Sequence, residues 1–130
     1  MPLFAYSVAI ATLMLSFASV PARADSLSGA WSGNGSVHYS RSRERARCNA
    51  RFSRVSGTLY KMNATCATPS GRVVQTATVN RVGANEYAGK FRNPQYNITG
   101  SISIKLHGST QYVRLVGDGG GSGSFKMRRR

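Results

Sequence analysis

The sequence predicts an all-β fold, a small antiparallel up-and-down barrel of about eight strands held by one disulfide. Three observations carry this expectation. Apolar and polar residues alternate with period two in a series of short runs. Turn-forming residues recur every 8 to 12 positions or so, and no stretch keeps apolar residues at helical spacing for three turns. Eight short strands in about a hundred residues are best used by closing the sheet, because closure removes the exposed edges that invite aggregation.

The first 24 residues stand apart from the rest. An uncharged apolar run from Leu3 to Val20 ends at Pro21 and Ala22–Arg23–Ala24, an h-region followed by a small-residue cleavage site. Its expected fate is removal as a signal peptide, which leaves Asp25 as the first mature residue. The run is also just long enough to serve as an uncleaved membrane anchor, and no Lys or Arg precedes it. Residues 25–130 read as a single barrel domain with a basic carboxyl end.

An opening strand is expected from Ala30 to Tyr39. In the second, Ala46, Cys48, Ala50 and Phe52 face one way and Arg45, Arg47, Asn49, Arg51 and Ser53 the other. Tyr60, Met62, Ala64 and Cys66 continue this inner face in the third. Val73–Val79 and Tyr87–Phe91 follow. The clearest alternation runs from Tyr96 to Leu106, and Gln111–Val116 and Phe125–Met127 complete the set, joined by the glycine-rich segment 117–123. Gly29, Gly33, Gly35, Gly89 and Gly100 fall inside strands, where a coiled sheet bends or admits a neighbouring chain.

The cysteine pairing follows from register. Folding the chain back about Gly57 sets Arg54 against Tyr60, Phe52 against Met62, Ala50 against Ala64 and Cys48 against Cys66, with the apolar partners on one face. Neither cysteine belongs to a C-x-x-C motif or a Cys/His cluster, so a structural disulfide between Cys48 and Cys66 is expected rather than a reactive thiol or a metal site.

The residue types for catalysis are sparse. The four acids, Asp25, Glu44, Glu86 and Asp118, fall at segment ends or in turns, which argues against a paired-carboxylate site. His38 and His107 lie in different segments with no third ligand in view, so no metal or other cofactor is expected. No serine sits in G-x-S-x-G, and the glycines near Gly117 lack the lysine and following helix of a phosphate loop. The expectation is a protein without enzymatic activity.

Charge is the feature with physical content. The chain carries +14, and loss of the leader leaves 17 basic against 4 acidic residues. Such a molecule repels itself and seeks polyanions. Arg41, Arg43, Arg45, Arg47 and Arg51 share one parity, and from Arg45 onward they would stand in a row repeating about every 7 Å along a strand's outer face. The upstream piece, residues 40–44, is expected to be loop. Guanidinium forks hold phosphate or carboxylate bidentately, so the row is a candidate polyanion track; it is equally a solvated face that discourages edge pairing. Lys126 and Arg128, with Arg129 and Arg130, form a second cluster. Parity turns most of Tyr39, Tyr60, Tyr87, Tyr96 and Tyr112 inward, which argues against base stacking and hence against a nucleic-acid partner. Sequons at Asn34, Asn63 and Asn97 are taken as chance matches.

The segment Leu27-Ser28-Gly29-Ala30-Trp31-Ser32-Gly33 resembles the G-x-W opening of calycin barrels, the lipocalin and avidin group. It is also similar to the opening of the bacterial metalloprotease inhibitors, which are disulfide-bonded barrels. The resemblance implies that Trp31 plugs one barrel end. An inhibitory trunk would have to be residues 25–28. From Ser28 through Glu44-Arg45-Ala46-Arg47-Cys48 to Cys66 the chain is similar to small exported bacterial proteins of unassigned function.

These observations together lead to a monomeric periplasmic or secreted barrel that binds an anionic envelope component, polysaccharide, lipopolysaccharide or anionic lipid, through its arginine face. The alternative is a carrier of a small apolar ligand, or a periplasmic protease inhibitor. The interior decides between filled and hollow: a core packed by Trp31, Phe52, Tyr60, Met62, Phe91 and Ile102 leaves no room, whereas an open mouth admits a ligand.

Overall fold

The structure is a computed structural model that describes residues 3, 9–16 and 26–130. The leader expected over residues 1–24 falls largely, and its cleavage site wholly, outside the described residues.

Eight strands follow one another: β1 (Gly29–Tyr39), β2 (Ser42–Ser56), β3 (Leu59–Thr68), β4 (Gly71–Gly83), β5 (Glu86–Asn93), β6 (Ile98–His107), β7 (Thr110–Gly117) and β8 (Ser122–Arg129). Each pairs antiparallel with the next, and β8 returns to pair with β1, so the sheet closes into a barrel. No helix occurs among the described residues. Alternation sorts the side chains as period two requires: Ala46, Cys48, Ala50 and Phe52 are buried while Arg45, Arg47, Asn49 and Arg51 are exposed. The β2–β3 hairpin has the expected register, with Arg54 opposite Tyr60 and Cys48 opposite Cys66, and the two cysteines form a disulfide.

Three expectations are corrected. The sixth strand begins at Ile98 rather than Tyr96. Asn97 takes a positive φ of 52°, which breaks the extended chain, and Tyr96 is 59% exposed in the preceding loop. Residues 42–44 belong to β2 rather than to a loop, because Val37 and His38 pair with Glu44 and Arg43. Of the glycine-rich segment only residues 118–121 form the connection, since Gly117 ends β7 and Gly123 lies within β8.

The tyrosines divide. Tyr60 and Tyr87 are buried and meet edge to face with ring centroids 5.5 Å apart, whereas Tyr39 and Tyr112 are 40% and 46% exposed. With Tyr96 in a loop, three of the five thus lie outward or at the rim, against the inward placement expected for most of them. Tyr112 points out because it pairs with Lys105 and Lys126 in the outward register.

Strand direction sets the two ends of the barrel. The connections at residues 40–41, 69–70, 94–97 and 118–121 share one end, and the hairpins β2–β3, β4–β5 and β6–β7 share the other, together with the start of β1 and the close of β8. At this second end Trp31 is fully buried and its Nε1 donates a 2.9 Å hydrogen bond to the Leu27 carbonyl. The Arg129 guanidinium lies 4.3 Å from the Trp31 ring centroid and donates to the carbonyls of Ser28, at 2.7 Å, and Ser26. That end is therefore a built floor. Along β1 above the floor the strands crowd: at Gly33 and Gly35 a Cβ would stand 1.9 and 2.0 Å from the carbonyl oxygens of Lys126 and Ser124.

Candidate functional site

The interior is filled unevenly. Toward the floor the inward positions hold Trp31, Phe52, Tyr60, Met62, Tyr87 and Leu106, all buried. Toward the mouth they hold Gly35, Ala46, Gly117 and Gly123, which contribute almost no side-chain volume. The Phe125 ring lies over Gly35 and Gly123, and beside it a cup of about 360 Å³ opens among the mouth connections. Val37, Val73, Phe91, Leu115 and Phe125 supply apolar wall, and Gln75 and Asn93 supply polar groups. Asn93 is buried, and its Oδ1 accepts from the Tyr96 backbone N–H at 3.3 Å, which ties the 94–97 loop to the cup wall.

The rim is polar. The Tyr39 hydroxyl donates to Glu44 Oε2 at 3.1 Å, and the Ser70 hydroxyl donates to Glu44 Oε1, so one carboxylate joins β1, β2 and the β3–β4 turn. Partial burial first, then the bond to the Glu44 carboxylate, holds the Tyr39 phenol above its ordinary value. Across the mouth Thr99 Oγ1 donates to Asp118 Oδ2 at 2.9 Å, and the Asp118 N–H donates to the Thr99 carbonyl at 2.9 Å.

Beneath the cup is a second cavity of about 30 Å³, which shares Cys66, Gln75, Leu115 and Phe125 with it as wall. Gln111 lines this lower cavity. It is 0% exposed, and neither its Oε1 nor its Nε2 meets a hydrogen-bonding group among the described residues. Sequence reasoning placed Gln111 only as a strand residue. The available signal was its parity, which it shares with Val113 and Leu115, so that an amide stands where an apolar side chain was due.

The basic residues singled out from the sequence are all exposed. Arg43, Arg45, Arg47 and Arg51 stand on the outer face of β2, while Arg41 sits in the β1–β2 turn, off the row. Lys126 and Arg128 stand on the outer face of β8. Only β1 separates the two sets: Asn34 pairs with both Arg47 and Lys126, and Ser32 with both Asn49 and Arg128. Two strand spacings, about 10 Å, thus divide the clusters. The outward residues of β1 between them are Ala30, Ser32, Asn34 and Ser36, small and uncharged. The wall continues to Tyr112 on β7, whose ring centroid is 5.9 Å from Lys126 Nζ, and to Arg114 on the same strand, which sequence parity alone did not bring into the set. Arg129 departs from its cluster by turning over the floor, and Arg130 is held by Ala30 and Asn49.

Two further arrangements bear on function. Residues 26–28 lie strapped across the floor, with Leu27 fully buried, and do not project as a free trunk. Among the described residues no three His, Cys, Asp or Glu side chains gather closely enough to hold a metal ion, and no helix is long and apolar enough to cross a membrane.

No family model and no curated protein matches the sequence. Solved structures do. A redesigned β-barrel, mFAP1, bound to DFHBI is similar with a TM-score of 0.71 at 12% identity, over 79% of this chain and 94% of that one. The barrel EF1p2_mFAP2b bound to DFHBI gives 0.70 at 12% identity, over 80% and 94%. A fluorescence-activating β-barrel designed de novo gives 0.65 at 15% identity, over 82% and 96%. At such identities the likeness is one of fold, and it sets this chain among small eight-stranded β-barrels.

Proposed function

We propose that this chain is a non-enzymatic binding protein that holds a small, mainly apolar molecule in the open half of its barrel. The observation that carries the reading is the cup of about 360 Å³, walled by Val37, Val73, Phe91, Leu115 and Phe125 and opening among the mouth connections. Its volume and lining suit a small-molecule site, in which apolar walls supply affinity and a few polar groups set orientation. Two structures of similar fold, mFAP1 and EF1p2_mFAP2b, are bound to DFHBI. The Cys48–Cys66 disulfide is compatible with an oxidising compartment, and periplasmic or secreted action is part of the same proposal.

The test is titration of residues 25–130 with the neutral dye N-phenyl-1-naphthylamine. Saturable one-to-one binding is expected, and Val73→Arg, which sets a charge in the half-buried upper wall, is expected to weaken it at least about tenfold. Absence of saturable binding, or equal affinity in the variant, overturns the reading.

A second reading keeps the basic wall as a contact for an anionic envelope component, and the observation favouring it is the convergence of two basic clusters across β1 with no carboxylate on the intervening outer face. Arginine and lysine spaced over three strands offer a polyanion several contacts at once. Retention on a sulfated matrix at about 0.15 M salt should fall clearly when Arg45, Arg47 and Arg51 are changed to Ser. Equal retention of the two proteins removes this reading and leaves the cup untouched.

A further inference from the structure

Two polar side chains are buried among the described residues, and they differ in kind. Asn93 is accounted for by the loop it secures. Gln111 is not: it carries two N–H donors and a carbonyl acceptor into a cavity whose other walls include Met62, Ile102, Val113 and Met127. A buried amide without partners opposes folding, and a methionine of similar length would fill the same space without that cost. What the residue offers is a place for a complementary group.

We propose that Gln111 is the innermost polar contact of the ligand, whose apolar body occupies the cup and whose leading end is neutral and carries an adjacent donor and acceptor, as in a carboxamide, a lactam or an undissociated acid. This rests on the reading of the cup as a ligand site. Three features direct the choice of chemistry. The lower cavity adjoins the cup, the two sharing Cys66, Gln75, Leu115 and Phe125 as wall, so that a ligand seated in the cup has its inner end nearest Gln111. Its volume of about 30 Å³ suits a small polar group and excludes a ring. No cationic side chain lines it, so an ionised carboxylate would be buried without compensation, whereas a neutral donor–acceptor pair matches the Gln111 amide on both atoms. Gln75, half-buried on β4 and part of both walls, lies on the way down.

The experiment uses two probes of one shape, 2-naphthamide and 2-isopropylnaphthalene, each displacing N-phenyl-1-naphthylamine from the mature protein and from Gln111→Met. The amide is expected to lose about tenfold in affinity on the substitution, the range of one or two neutral hydrogen bonds, while the hydrocarbon changes less than about twofold. Gln111→Leu replaces Gln111→Met should that variant fold poorly. If the two probes respond alike while the dye still binds, Gln111 does not meet the ligand and this inference falls, with the cup reading intact. If the dye binds neither protein, the cup reading falls and takes the inference with it.

Discussion

Gly89 shows how one backbone position governs the packing of this sheet. A Cβ there would stand 1.8 Å from the Thr78 carbonyl oxygen and 2.8 Å from the Val79 Cα, so relief requires β4 and β5 to separate. Gly119, in the β7–β8 turn, has open space about its Cα and no left-handed φ. Gly89→Ala is therefore expected to lower stability by roughly 3 kcal/mol or more, as overpacking against backbone does, while Gly119→Ala changes it by less than about 1 kcal/mol and in the favourable direction. Urea unfolding of both variants checks the contrast, and equal midpoints would refute it. Strand glycines were legible as places of close approach. Which atoms approach was not, because the partner of Gly33 is a carbonyl of Lys126 at the far end of the chain.

The β2–β3 hairpin was the most legible element. Its turn at Gly57, its alternation and its two cysteines all point to one register, and local agreement of this kind leaves no competing arrangement. The disulfide spans a separation of 18 residues, for which loop closure contributes roughly 3 kcal/mol. Replacing Cys48 and Cys66 together by Ala is expected to lower the midpoint of thermal unfolding by more than about 10 °C for a domain of this size, a shift that differential scanning calorimetry resolves. Since both sulfurs lie on the inner face and Cys66 belongs to the cup wall, the same variant should also loosen dye binding. The β5–β6 and β7–β8 connections were less legible. Tyr96 continues the parity of Ile98, and only the left-handed Asn97 between them ends the strand. Alternation cannot report such a break, because Asn tolerates both conformations.

Closure joins β8 to β1 and makes one basic wall out of two clusters that lie about eighty positions apart in the chain. Like charges two strands apart repel, and the chain's +14 charge has few acids to offset it. Raising sodium chloride from about 0.01 M to about 0.5 M should therefore raise the thermal midpoint, because the screening length contracts below the spacing of the outward arginines. A midpoint that stays level or falls would mean that the wall carries no appreciable strain. The same closure creates the cup. Its lining comes from strands at both ends of the chain, Val37 and Ala46 from β1 and β2 and Leu115, Gly123 and Phe125 from β7 and β8, and only closure brings these together around one cavity.

Period-two burial is a property of neighbouring residues, so the strands, their outward arginines and the β2–β3 register could all be read from the linear order of side chains. The content of the interior could not. Whether a barrel is full or hollow depends on which inward residues share a layer, and that follows from pairing between strands distant in sequence. Trp31 and Arg129 meet at the floor, Val37 and Gly123 from opposite ends of the chain pair at the mouth, and Gln111 is left between them without a partner among the described residues. Each is a nonlocal contact set by closure of the sheet, a constraint to which no short stretch of residues is sensitive.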